Sequence, residues 1–160
     1  MDAHQETDRR IAEMVRACYW DRDINCARTT LYCMSRLFDP PLDPQLDRAA
    51  IGLNGAGRMG CQCGLLEGAL LFLGIHASFL GKTEKEVCAV CGRYAAAFQE
   101  RFGGVDCRVL RPGGFQKSDP PHLCEGLSAC SMILWRRCAD RRMGRGPRPD
   151  LTSRAFSLNQ

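Results

Sequence analysis

The stretch from Ile51 to Ile75, IGLNGAGRMGCQCGLLEGALLFLGI, constrains this chain more than any other part of it. Gly52, Gly55, Gly57 and Gly60 lead into Cys61 and Cys63. An apolar run from Leu65 to Ile75 follows, broken only by Glu67, Gly68 and Gly74. Glycines this dense let the backbone take positive φ and approach another group closely. The apolar run is too long for a typical strand and too short to span a bilayer, so it predicts a buried helix. Cys63 then falls in or near the first turn, where unpaired N–H groups and the positive dipole end favour a thiolate.

Two nucleotide-binding signatures come close and fail. Gly55-Ala56-Gly57-Arg58-Met59-Gly60 fits G-x-G-x-x-G, which carries weight only in a strand–turn–helix unit with an acidic residue about twenty positions on. That position is Leu80, and no Val/Ile-rich run flanks the helix, so the reading disfavours a nicotinamide or flavin site. Gly81-Lys82-Thr83 matches the end of a P-loop, but His76 stands where its first glycine is required.

Helix signals divide the rest. Ile11, Met14, Val15 and Cys18 share helical spacing over residues 5–20, and Asp23 reads as the N-cap of a second helix from Ile24 to about Phe38. Asp43 and Pro44 open a third helix that runs into the glycine loop. Thr83-x-x-Glu86 is a capping box for a helix reaching Phe102, with Val87, Cys91, Tyr94, Phe98 and Phe102 as its core stripe. Gly103-Gly104 ends it, Asp106 caps a short turn holding Cys107, and Pro120-Pro121 starts a last helix through Cys138 with Cys124 in its first turn. The expectation is an all-α, compact multi-helix domain over residues 1–142, its buried central helix following a glycine-rich loop. A basic, disordered tail over 143–160 completes it.

Charge excludes one class of partner. Residues 136–160 hold seven arginines and two acids, so of the net +4 the body keeps about −1. A basic nucleic-acid-binding face on the body is unsupported. No apolar leader opens the sequence and no segment is a membrane span, so the expected location is the cytoplasm, without membrane contact. Eleven cysteines in a reducing compartment serve as metal ligands, redox groups or buried hydrophobes.

Cys26, Cys63, Cys107 and Cys124 each fall at a predicted helix start, which suggests N-termini converging on one site. These residues, with Asn25, the Gly57-Arg58-Met59-Gly60 loop and Cys63-Gly64-Leu65-Leu66-Glu67-Gly68, resemble a bacterial and archaeal family named for its C-GCAxxG-C-C cysteine pattern. The resemblance runs from about Cys18 to Cys138. It implies a small helical protein with a redox role, and it carries the four signature cysteines onto Cys26, Cys63, Cys107 and Cys124. The chain departs from the pattern in Leu65, where the family has Ala, and in its added Cys61, Cys88 and Cys91. The family resembles split-Soret cytochromes, a likeness that implies a homodimer, but Cys88-Ala89-Val90-Cys91 is followed by Gly92, so no c-type haem is expected.

By ligand count four thiolates suit zinc and an iron–sulfur cluster equally, while two pairs can instead cycle between thiol and disulfide. The leading expectation is a metal site at Cys26, Cys63, Cys107 and Cys124, an iron–sulfur cluster foremost, for electron transfer or redox sensing with an unidentified redox partner. The alternatives are a metal-free thiol–disulfide oxidoreductase using Cys63 with Cys61, or a structural zinc or thiol-packed protein. Gly57, Arg58, Gly60 and Gly64 would border the bound group, Arg58 as partner to a thiolate or anion. Cys18, Cys33, Cys130 and Cys138 are expected in the core. Cys91 packs there too, and His122 reads as a surface residue.

Overall fold

A computed structural model describes residues 3–140. The tail expected at 143–160 lies outside them. Helix α1 spans Ala3–Trp20 and α2 Cys26–Leu37. The second helix starts later than its sequence suggests, because Asn25 rather than Asp23 is the N-cap: its side chain accepts from the Arg28 N–H at 3.0 Å. Asp23 instead takes φ +47° in the turn between the helices, a conformation Asp tolerates better than most residues.

Asp43 caps α3 (Pro44–Ala49) as expected, accepting from the Gln45 N–H at 2.7 Å. The glycine segment then forms α4 (Gly55–Arg58), kinked at Ala56 and Gly57, whose φ values are +51° and +67°. No strand precedes it among the described residues, so the G-x-G-x-x-G match does not sit in a dinucleotide-binding unit. Helix α5 (Gly64–Phe79) follows with Cys63 as its N-cap, and α6 (Glu84–Phe102) starts on the full Thr83/Glu86 capping box. Gly103 at φ +82° closes α6, since only a residue without Cβ takes that conformation freely. Helix α7 is Cys107–Leu110; a 3-10 turn at Pro121–Cys124 leads into α8 (Glu125–Asp140). Cys124 therefore ends a 3-10 turn instead of opening a helix.

Helix α5 is apolar all round and occupies the centre, packed on α2, α6 and α8, as an unpatterned apolar helix must be. The α2–α5 crossing is close because Gly64 and Gly68 face α2: a Cβ at Gly68 would stand 2.5 Å from the Ala27 carbonyl oxygen. Phe38, Phe72, His76 and Trp135 pack as an aromatic cluster at the far end. Of the expected α6 stripe, Tyr94 and Phe98 are buried, whereas Val87, Cys91 and Phe102 are half-buried. Cys18 and Cys33 are buried as expected, but Cys130 is exposed and Cys138 only half-buried. No helix among the described residues is long and apolar enough to cross a membrane.

Candidate functional site

Cys26, Cys63, Cys107 and Cys124 meet at the N-terminal end of α5, each held by backbone contacts. Asn25, besides capping α2, donates from its amide to the Ile51 carbonyl at 2.9 Å, tying the start of α2 to the glycine segment. Residues 60–63 pair with 105–108 around the isolated Gln62–Asp106 bridge. The Cys63 N–H donates to Val105 O at 2.7 Å, and the Cys107 N–H to Cys61 O at 2.8 Å. That pairing sets Cys63 beside Cys107. Cys124 is fixed from α1 and α8: its carbonyl accepts from Ser128 Oγ at 2.9 Å, and that hydroxyl contacts Tyr19 Oη at 2.6 Å.

The thiols pair off. Cys63 neighbours Cys107, and Cys26 neighbours Cys124, while Cys26 also lies within electrostatic reach of Cys63 and Cys107. Acidity is split within each pair. The Cys107 thiol is lowered to about 7, first by the hydrogen bond from Cys63, with help from the Gly64 N–H and the Arg111 charge against the cost of burial. Cys63 is raised, by the same hydrogen bond seen from the donor side and by burial. Cys124 is lowered by its bond from Cys26 and, more weakly, by Arg111; Cys26 is raised well above the usual thiol value.

This corrects a simple helix-dipole reading. Cys26 and Cys63 stand at helix N-termini, yet the neighbouring thiol and burial push both thiols up. A helix terminus favours a charge by about 0.3–1 kcal/mol, less than burial beside a second thiol costs it. Acidity instead gathers on Cys107 and Cys124, the two that share Arg111. That side chain is almost buried and is ion-paired with Asp119 Oδ2 at 3.1 Å.

Arg58, the expected anion partner, is exposed and donates weakly to the Asp119 carbonyl at 3.4 Å. Arg108 is the arginine that reaches the cysteine loop, with Nη2 3.4 Å from Cys61 Sγ and 3.1 Å from Met59 O. Cys61 is half-buried. A Cβ at Gly60 would meet the Phe115 ring at 3.1 Å, one at Gly64 would meet Cys26 Sγ at 2.5 Å, and Gly57 has open space. Gly60 and Gly64 thus serve close approach of the chain to itself. His122 is half-buried, stacked on Trp20 with ring centroids 4.4 Å apart. Cys88 is exposed and Cys91 half-buried on α6.

Sequence reasoning missed Arg111 and Glu67. Each follows a signature cysteine by four residues, Arg111 after Cys107 and Glu67 after Cys63, and that one-turn spacing was the available signal. Glu67 lines an open cavity of about 510 Å³ with Leu53, Gln62, Leu70, Leu71, Gly74 and Ile75. Burial raises its carboxyl to about 7 from an ordinary value of 4.5. A folded-state pKa above the unfolded one means that the folded chain holds the proton more tightly, so stability falls as pH rises from about 4.5 to about 7. Glu67→Gln is expected to flatten that part of the stability–pH curve and to add on the order of 1 kcal/mol at pH 8. That figure is discounted because the carboxyl is partly solvated. Urea unfolding at pH 5 and pH 8 checks this; an equal slope in both proteins contradicts it.

Among the described residues, no group of three or more His, Cys, Asp or Glu side chains is arranged to hold a metal ion. The four sulfurs engage one another in pairs.

Residues 24–137 match the model of the family described as "Putative redox-active protein (C_GCAxxG_C_C)". No curated protein and no solved structure matches the chain.

Proposed function

The chain belongs to this family, and from its redox character we propose that Cys63–Cys107 and Cys26–Cys124 act as two dithiol couples in metal-free thiol–disulfide exchange. The observation that carries the reading is the convergence of four buried cysteines, as two neighbouring pairs, at the N-terminal end of α5. A thiolate attacks a disulfide and a neighbouring thiol resolves the product.

In the forward step the Cys107 thiolate attacks one sulfur of a disulfide substrate, forming a mixed disulfide and expelling one thiolate. Cys63 then attacks the Cys107 sulfur, closes the Cys63–Cys107 bond and releases the second thiol. The two electrons and two protons of the dithiol leave on the two product thiols. The Gly64 N–H and Arg111 hold the charge on Cys107 before attack. Cys26–Cys124 can reduce the new disulfide by a second exchange, since the two pairs lie within electrostatic reach. Relative exposures of 3% for Cys63, 4% for Cys107, 7% for Cys26 and 8% for Cys124 favour a small disulfide over a folded protein surface. Cys61, half-buried beside Arg108, is suited to be the outer thiol of the site.

The test uses a background carrying Cys88→Ser and Cys130→Ser, which removes the exposed thiols. With chelator present, the reduced protein is expected to release thiol from a small aromatic disulfide, and Cys107→Ala to slow that release at least ~10-fold. Release that the chelator abolishes, or that ignores Cys107→Ala, would return the four cysteines to the metal reading.

A further inference from the structure

Two cysteines outside this site also touch. Cys18 lies near the end of α1 and Cys33 in the middle of α2, with their sulfurs 3.9 Å apart and both residues at 0% exposure. A buried thiol is ordinarily a small hydrophobe. This pair differs in having a cation near it: Arg22, stacked over the Tyr32 ring at 4.2 Å, adds its charge at Cys18. The acidity is divided as it is in the main site. Cys18 is lowered, first by the hydrogen bond from Cys33 and then, against burial, by Arg22 and Arg28; Cys33 is raised by that bond and by complete burial.

We propose that Cys18 and Cys33 are a second redox-active dithiol, which forms an α1–α2 disulfide by exchange with a low-molecular-weight disulfide. The Cys18 thiolate attacks the small disulfide, making a mixed disulfide and expelling one thiolate. Cys33 then attacks the Cys18 sulfur, closing the cross-link and releasing the second thiol. The sulfurs must close from 3.9 Å to the bonded separation of ~2.05 Å, a movement that begins from van der Waals contact. Entry is through the last turn of α1. Cys18 stands two residues before the helix end, and the connecting turn contains Asp23 at φ +47°. Helix ends and connecting turns open at lower free energy than core helices do, so Cys18 can be reached without disturbing α5. The proposal does not depend on the chemistry of the other four cysteines.

The experiment equilibrates the reduced full chain with glutathione at a series of oxidised-to-reduced ratios, then quenches with acid, alkylates and digests with trypsin without reductant. Trypsin separates Cys18 (residues 17–22), Cys26 (23–28) and Cys33 (29–36) onto different peptides. The expected product joins residues 17–22 to 29–36. The oxidised chain should also melt roughly 5–10 °C higher than a Cys18→Ala/Cys33→Ala variant oxidised in parallel. In Cys33→Ala alone, glutathione should remain attached to Cys18, because the resolving thiol is gone. Cys18 and Cys33 both carrying the alkyl label at every ratio, or Cys18 joined to a cysteine other than Cys33, would overturn the proposal. The peptide map is made on the wild-type chain, so it stands even if a variant folds poorly.

Discussion

Gly68→Ala is expected to destabilise the protein by about 2–3 kcal/mol and to lower its Tm by roughly 5–10 °C. Two effects oppose each other. Alanine in a helix interior is favoured over glycine by about 1 kcal/mol, and Gly68 lies inside α5. Against that gain, the new methyl would stand 2.5 Å from the Ala27 carbonyl oxygen, 3.1 Å from its Cα and 3.1 Å from Thr30 Cβ. Two of those atoms are backbone and cannot swing aside, so α2 must move off α5, and the central crossing of the fold loosens with it. Gly74→Ala supplies the comparison: the same helix, nothing within 4 Å of the added carbon, and therefore a gain of about 0.5–1 kcal/mol. Thermal unfolding of the two variants decides the matter. Equal and small effects would mean that the α2–α5 contact is looser than the structure has it.

Cys63→Ala is expected to make Cys107 several-fold slower to alkylate at pH 7. The hydrogen bond from Cys63 is the largest reason that Cys107 lies near 7. Without it, burial acts against only the Gly64 N–H and Arg111, and the thiol moves back up. A thiol near 7 is about half ionised at pH 7, and each unit of increase removes most of what remains. The rate should recover at pH 9, which separates lost ionisation from lost access. Peptide-resolved iodoacetamide labelling reads Cys107 apart from the exposed cysteines. An unchanged rate at pH 7 would remove Cys63 as the cause of the Cys107 acidity and leave the split within that pair unexplained.

Local chemistry made much of this fold legible. The Thr83/Glu86 capping box, the Asp43–Pro44 start and the Gly103 stop act within one turn of the residues that carry them, and each appears in the structure where the sequence places it. The apolar all-round character of α5 likewise reports its central position. Asp23 and Asn25 are both good caps two residues apart, and the cap falls to Asn25, whose amide also reaches the glycine segment. The set of four cysteines could be picked out, but not who pairs with whom. The Cys63–Cys107 contact depends on residues 60–63 lying against 105–108, a pairing of short irregular segments with no sequence period. The Cys26–Cys124 contact depends on how α1, α2 and α8 cross. Arg58 stands in the glycine loop beside the cysteines in sequence, whereas Arg111 follows Cys107 by one turn and is nearly buried.

Disulfide mapping of the mildly oxidised chain tests the central claim most directly. Tryptic peptides 23–28 and 118–136 should be joined through Cys26 and Cys124, and peptides 59–82 and 102–108 through Cys63 and Cys107, with fragmentation excluding Cys61 and Cys130 as the bonded partners. Cross-links that join Cys26 to Cys63 or Cys107, or four signature thiols that stay reduced while the exposed cysteines oxidise, would contradict the account of two dithiol couples.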